Sequence, residues 1–377
     1  MEFDLSDTQK MMQQAARAFL SKECPTSKVR SIMETDTALD AELWKSIAGQ
    51  GWLAITLPEH VGGLELGIVE VAVIAEEAGR AYLPGPWLAN LWASTLIQAC
   101  ARTTEHDAWL SAMATGDSIA TVALLEDSAQ WSLDGVELVA RRDGAHYVLD
   151  GRKQLVCDAA VAKRLLCVVR DVDGFALLAV DRETPGVEIL PTPGLDLTRK
   201  LNEVVFHQAR IADQQRLATG ETFEEIWQRA YDIATVATCA ELLGVMQWVL
   251  KTTVEYAQTR KQFGKAIGSF QAVQHRCADM LLLLESSRSA TYYAAWMLTE
   301  NEPEGTAAAS IAKTYCSDAA RVLCDHGMQV HGGIGFTWEH DLHLFYKRAK
   351  ASEIFLGDAN HHRQRLAERL IGGAISG

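Results

Sequence analysis

RKQFGKAIGSFQ, residues 260–271, lies between two long helical periods, Ile226 to Arg260 and Ala272 to Thr299, and QVHGGIGFTWEHD, residues 329–341, follows a third, Thr306 to Met328. Each period is longer than the three to four turns typical of a globular helix, and almost no proline interrupts them. Apolar residues recur along them at helical spacing, which predicts helices that bury one another in a bundle. The two quoted motifs, both broken by glycine, then join the bundle's helices.

Upstream of this region the periodicity changes. Between about Asp117 and Ala218 the stretches SIATVALL, HYVLDG, RLLCVVRD, FALLAVD, GVEILP and EVVFHQ are short, β-branched or alternating, and are separated by Gly, Asp and Pro. They predict an antiparallel sheet domain. From Phe3 to about Gln98 helical spacing returns, through Leu5, Met11, Met12, Ala15, Phe19, Leu43, Ile47 and the run from Val69 to Ala78, interrupted by LPEHVGG at 57–63. The expected fold is therefore α+β: an N-terminal helical domain over 1–116, a middle antiparallel β domain over 117–220 and a C-terminal four-helix bundle over 221–377.

Bulk properties narrow the class. The chain has 377 residues, 48% hydrophobic and 22% charged, enough for two or three domains with large cores. Its formal charge of −14 repels polyanions, which argues against nucleic acid but leaves room for a CoA thioester held by a few local cations. The eight cysteines form no CxxC or Cys/His cluster at zinc spacing, so they read as reduced, buried side chains and no metal is expected. Neither a basic and apolar leader nor a run of about 18 apolar residues is present, so no membrane partner is expected and the expected address is cytoplasmic. A metabolic enzyme or its subunit fits best.

The α–β–α order, together with GWLAITLPEHVGG at 51–63, EEAGRAYLPGP at 76–86, the Gly151–Lys153 turn and both C-terminal motifs, resembles the acyl-CoA dehydrogenase family. The resemblance covers nearly the whole chain. It implies desaturation at the α,β carbons of an acyl-CoA, in which a Glu removes the α-proton while a hydride passes from the β-carbon to FAD, with electron transfer flavoprotein as the acceptor. It also implies a flavin site built from two subunits, one supplying the ring pocket and base, its neighbour binding the ADP half.

The half supplied in trans is intact in residue type. By the resemblance, Arg260 pairs with the FAD pyrophosphate, Phe263 packs on the cofactor, Gln271 hydrogen-bonds it, and Gln329 with Gly332 and Gly333 lets backbone approach the adenine-ribose end. A planar guanidinium suits phosphate oxygens, and paired glycines remove the Cβ atoms that would block close approach. The half supplied in cis departs from the family: LLEDSAQW at 124–131 stands for a TEPGAGSD-like loop, and Lys153-Gln154-Leu155-Val156-Cys157 stands for K-x-W-I-T. Leu155 and Cys157 are expected to pack as ordinary strand residues.

The base is missing. RAKASEIFLGDANHH at 348–362 sets Leu356 where the family places glutamate, and the alternative position used by some relatives is Ala234. Asp358 and Asp232 lie two residues away, a rotation of about 200° on a helix, so neither substitutes. Asp358 reads as a helix N-cap, and Glu241 as a polar helix residue that remains a minor candidate for the base. The adjacent His361 and His362 lack the i, i+4 spacing that zinc prefers and are expected to face solvent or a subunit contact. His331 is read equally as a cofactor contact or a packing residue, Trp338 and Tyr346 as interface or core aromatics, and Arg141-Arg142 as a solvated turn.

Three readings remain at this point: a self-sufficient homotetramer with an unrecognised base, a heterotetramer subunit that lends its Arg260 face to a second acyl-CoA dehydrogenase-like chain, and a flavin-free structural subunit. The residues favour the second. The ending HLFYKRAKASEIFLGDANHHRQRLA also resembles the small subunits of α2β2 acyl-CoA dehydrogenases that act on bulky chains such as steroid side chains.

Overall fold

The computed structural model describes residues 4–100 and 103–375. Helices α1 (Asp7–Glu23), α2 (Thr26–Met33), α3 (Ala41–Gly49), α4 (Ile68–Arg80), α5 (Trp87–Ala99) and α6 (Thr104–Ala114) come first. Strands β1 (Ala120–Ala123), β2 (Arg141–Asp143), β3 (His146–Cys157), β4 (Arg164–Asp171), β5 (Gly174–Asp181), β6 (Val187–Thr192), β7 (Leu201–Ala212) and β8 (Arg216–Thr219) follow. Then come α7 (Gly220–Thr259), the two-residue strands β9 (Lys261–Gln262) and β10 (Lys265–Ala266), α8 (Gln271–Thr299), α9 (Gly305–His331), α10 (Leu342–Ile354) and α11 (Ala359–Ile375). Helices, then sheets, then helices is the order that the periodicity predicts.

By packing the chain forms two compact units. One takes residues 1–29, 68–83 and 235–377, and the other takes residues 30–67 and 84–234. The first 15 residues of α7 thus belong to the sheet-containing unit and the rest to the bundle.

Where the sequence predicts one antiparallel sheet, the sheet-containing unit has two of four strands, ordered β1-β4-β5-β8 and β2-β3-β7-β6. All pairs are antiparallel except β1 with β4, which run parallel from Ala120 opposite Arg164 to Ala123 opposite Cys167. β4 is buried continuously from Leu165 to Val169, the pattern of a strand covered on both faces. The β3–β7 pairing slips between Lys153 and Val156, and Leu155 in the slip has φ +50°. This corrects the expectation that Leu155 is an ordinary strand residue: it sits in a bulge, in the left-handed region that a branched residue enters only when its surroundings hold it there.

In the bundle unit, α4 and α7 cross at two glycines. A Cβ on Gly79 would lie 2.0 Å from the Glu241 carbonyl oxygen, and one on Gly244 would lie 1.9 Å from that of Glu76. Trp248 of α7 stacks on Phe345 of α10 with centroids 3.7 Å apart and planes 4° from parallel. α9 packs against α8, α10 and α11. Among the described residues α7 alone is long and apolar enough to cross a membrane, but 83% of its apolar window is buried inside the protein. The apolar window therefore reads as the core segment of the helix, while residues toward both ends, such as Glu224 and Glu255, are exposed.

Candidate functional site

The motif at 260–271 forms a short hairpin between α7 and α8. Arg260 N–H donates to the Tyr256 carbonyl at the end of α7, and Ile267 N–H donates back to the Arg260 carbonyl, both at 2.8 Å. The Arg260 side chain is exposed and has no ion-pair partner among the described residues, so it is not spent on a local carboxylate. Phe263 sits in the turn at φ +54°, 91% exposed, with its ring edge-on to Phe270 at 6.1 Å. Gln271, next in the chain, opens α8 and is exposed.

The second motif ends α9 against this hairpin. His331 is buried, and its ring stacks on Tyr256, the residue that anchors Arg260, with centroids 4.5 Å apart. The stack joins the two motifs within one unit. Gln329 is exposed on the last turn of α9, and beyond it Gly332, at φ +64°, and Gly333 both open onto space where no atom lies within 4 Å of a Cβ position. His331 donates from Nδ1 to the Gly327 carbonyl at 2.8 Å, and burial lowers its pKa, so the neutral ring packs against Tyr256. Of the two roles weighed for His331, packing is the one its contacts display.

α10 stops at Phe355, and Leu356 (φ +58°) and Gly357 (φ +86°) turn the chain into α11. Leu356 is 0% exposed. Two buried groups hold this turn by its backbone. Lys313 of α9 donates from Nζ to the carbonyls of Ser352 at 2.8 Å and Glu353 at 2.9 Å, capping the end of α10. His362 contacts the Leu356 carbonyl through Nε2 at 2.8 Å. Burial brings Lys313 down to about 8 and His362 down to about 2. Asp358 accepts the His361 N–H at 2.9 Å, the N-cap role read from the sequence. The expectation that His362 faces solvent or a subunit is corrected: it is 0% exposed, because the chain reversal at Gly357 brings its helix back over the turn.

The other carboxylates near the base positions are committed. Glu241 is buried and accepts from Arg348 Nη1 at 2.8 Å. Arg348 is itself 0% exposed, donates from Nη2 to the Leu83 carbonyl at 3.2 Å and lies over the Tyr82 ring at 4.6 Å. The pair ties the Glu241 carboxylate to Arg348 by a charge-assisted hydrogen bond. In the sheet-containing unit Ala234 is buried, and Asp232 accepts from Gln228 Nε2 at 2.9 Å.

In the same unit the LLEDSAQW segment is tied down by its own acids. Glu126 accepts from Lys153 Nζ at 2.6 Å and from the backbone N–H of Glu137 at 2.9 Å. Asp127 accepts from Arg152 Nη2 at 2.8 Å and also from Gln154. Lys153 is 0% exposed; burial lowers its pKa and Glu126 opposes that shift. Cys157 follows the bulge, its thiol pushed up to about 12 by burial. Trp338 is half exposed between His343 and Lys347, Tyr346 is half-buried, and Arg141 and Arg142 are exposed on β2, Arg142 pairing with Asp213 at 3.3 Å.

Lys153, Lys313, Arg348 and His362 were not singled out from the sequence as buried polar anchors. Arg348 and His362 carried a signal as the ends of the stretch aligned on the base motif, and Lys153 as the first residue of the stretch set against K-x-W-I-T. Lys313 acquires meaning only when helices distant in sequence are brought together.

Residues 6–117 match the family model described as acyl-CoA dehydrogenase, N-terminal domain, and residues 225–371 match acyl-CoA dehydrogenase, C-terminal domain. The chain is 29% identical to acyl-CoA dehydrogenase IpdE2 of Mycolicibacterium smegmatis over 96% of its own length and 98% of that protein. It resembles a variant of the Tcur3481-Tcur3483 steroid ACAD with a TM-score of 0.88 at 28% identity, covering 98% of this chain and 99% of that one. It resembles equally the ChsE4-ChsE5 complex from Mycobacterium tuberculosis, with a TM-score of 0.89 at 25% identity over 98% and 99% of the two chains. With the two family models together spanning well over half of its length, the chain belongs to the acyl-CoA dehydrogenase family, oxidoreductases that act on the CH–CH group of acyl-CoA.

Proposed function

We propose that this chain is one subunit of a heteromeric, FAD-dependent acyl-CoA dehydrogenase, and that it lends the ADP half of a flavin site to a partner chain that carries the ring pocket and the base. The observation that carries this reading is Leu356: the turn at the family's glutamate position is held in place, yet presents a buried alkyl group. Glu241 and Asp232, the nearby acids, are engaged by Arg348 and Gln228. On this reading the proton acceptor for the α-carbon comes from the partner.

The bundle-unit face fits the cofactor by residue chemistry. Arg260, whose guanidinium pairs with no carboxylate among the described residues, would hold the pyrophosphate; Phe263 would cover the cofactor; Gln271 and Gln329 would hydrogen-bond it; Gly332 and Gly333 would admit its adenine-ribose end, since the space at their Cβ positions is open. Bound flavin supplies the hydride acceptor. The sheet-containing unit lacks the family's aromatic and hydroxyl residues at Leu155 and Cys157, and Glu126 and Asp127 close the LLEDSAQW segment onto Lys153 and Arg152. This favours one flavin per pair of chains, with the ring in the partner.

The likeness to a steroid ACAD supports a bulky acyl-CoA, a steroid side chain in particular, as substrate; electron transfer flavoprotein as the acceptor and the cytoplasm as the address belong to the same proposal. The test is to express the chain alone and with an acyl-CoA dehydrogenase encoded beside it, recording flavin absorbance per chain. About half a flavin per chain in the mixed complex and none in the lone chain is expected. One flavin per chain in a homotetramer would replace this reading with the self-sufficient one, and none in either preparation with the flavin-free one.

A further inference from the structure

Between α1, α4, α7 and α8 the bundle unit carries a cavity of about 530 Å3, lined by none of the residues assigned above to the flavin face or the base turn. Its volume falls in the range of small-molecule pockets, about 300–1,000 Å3. Arg17 donates to Glu77 from Nε at 3.1 Å and Nη2 at 2.6 Å, and Arg80 donates to the same carboxylate from Nε at 2.7 Å. One wholly buried carboxylate, Glu77, thus holds two guanidiniums, and over the whole wall the four cations Arg17, Arg80, Lys251 and Arg288 are balanced by Glu76, Glu77, Glu255 and Glu285.

Two polar atoms of lining residues lack partners. Arg80 Nη2 and Gln247 Oε1 are both buried with no hydrogen bond. An amide turned by 180° is the same residue with its NH2 in that place, so Gln247 offers a second donor beside the guanidinium. Burying such groups unmatched is costly, and an acceptor from outside relieves it. The remaining cations are answered locally, Arg288 by Glu76 and Glu285, Lys251 by Glu255 at 3.8 Å. The rest of the lining includes Trp248, Leu281 and Leu284, and Phe345 fixes the Trp248 ring by stacking on one face.

We propose that this cavity binds a small amphipathic carboxylate, with its head on Arg17, Arg80 and Gln247 and its alkyl body against Trp248, Leu281 and Leu284. The inference is independent of where flavin binds. It is tested by isothermal titration calorimetry of the purified protein, in the assembly in which it is isolated, with octanoate as the probe and octylamine and inorganic phosphate as comparisons. Octanoate is expected to bind once per chain, at least tenfold more tightly than either comparison. Its affinity should fall at least tenfold in Arg80→Gln and in Leu281→Glu. Leu281 is 50% exposed, so the second variant retains the fold even if removing Arg80 from Glu77 does not. No heat with octanoate, octylamine or phosphate binding as tightly, or unchanged affinity in Leu281→Glu would overturn the proposal.

Discussion

His362 Nε2 lies 2.8 Å from the carbonyl oxygen of Leu356, and both residues are 0% exposed. Since a carbonyl only accepts, Nε2 carries the proton and donates, which leaves Nδ1 to accept from Ser310 Oγ at 3.4 Å. The tautomer is therefore fixed by the turn it holds. Nδ1 also accepts from Arg365 Nη1 at 3.4 Å, and since a guanidinium only donates, a second proton on the ring would lose that partner.

Acid should expose that constraint. Burial brings His362 down to about 2 from an ordinary 6.5, so between those values the unfolded chain binds the extra proton and the folded one does not. Stability from this group is complete above pH 6.5 and declines as pH falls toward 2. At pH 5 the loss is about 2 kcal/mol, from a difference of roughly 1.5 pH units at 1.36 kcal/mol each. His362→Gln keeps a donor but cannot titrate. Urea midpoints at pH 7, 6 and 5 should fall less steeply in the variant than in the parent, and parallel curves would exclude His362 as the source.

For Arg260→Ala the expected result is weaker flavin retention with an unchanged fold. The side chain is exposed and makes no ion pair among the described residues, so nothing in the chain depends on it. Loss of a charge-assisted phosphate contact costs about 1.5–3 kcal/mol, which is at least tenfold in affinity. Flavin absorbance per chain after gel filtration of the complex, beside a circular dichroism melt, reads both. Full retention would remove Arg260 from the cofactor.

Lys153 and Glu126 form a pair whose removal should be unequal to its halves. The ammonium is 0% exposed and the carboxylate 11%, at 2.6 Å. Glu126→Ala leaves a buried amine on the Leu124 carbonyl alone and is expected to cost about 3–5 kcal/mol, whereas Glu126→Ala with Lys153→Met should recover more than half of that. Urea denaturation of the three variants gives the cycle. Additive losses would mean the two side chains do not depend on each other.

The long helices were legible because a core helix writes its burial as period, and α7, α8 and α9 fall where Ile226, Ala272 and Thr306 begin those periods. β4 coincides with RLLCVVRD for a similar reason: a strand covered on both faces must be apolar throughout. Asp358 was legible as a cap because capping is a local hydrogen bond. What escaped was non-local. The left-handed Leu155 arises from a register slip against β7, and the parallel placement of β1 beside β4 depends on chain that is 44 residues distant in sequence, Ala120 opposite Arg164. The hold of Lys313 on α10 spans 39 residues, and no spacing rule connects such positions.

The absent base yields the prediction that separates the functional readings. The isolated chain should reduce no flavin with any acyl-CoA, because Leu356 cannot accept a proton and Glu241 is bound to Arg348. Leu356→Glu should not restore turnover to the lone chain. The new carboxylate would enter a fully enclosed position, where an unpaired charge costs several kcal/mol or shifts its pKa upward until it is neutral, and the 124–131 segment would remain closed on Lys153 and Arg152. Activity should appear only when a partner carrying glutamate is co-purified, and there Leu356→Glu in this chain should leave kcat within about twofold if the variant folds. Anaerobic dye reduction with a homogeneous preparation measures this directly. Turnover by the lone chain, abolished by Glu241→Gln, Asp232→Asn or Asp358→Asn, would establish a base within it and a self-sufficient enzyme.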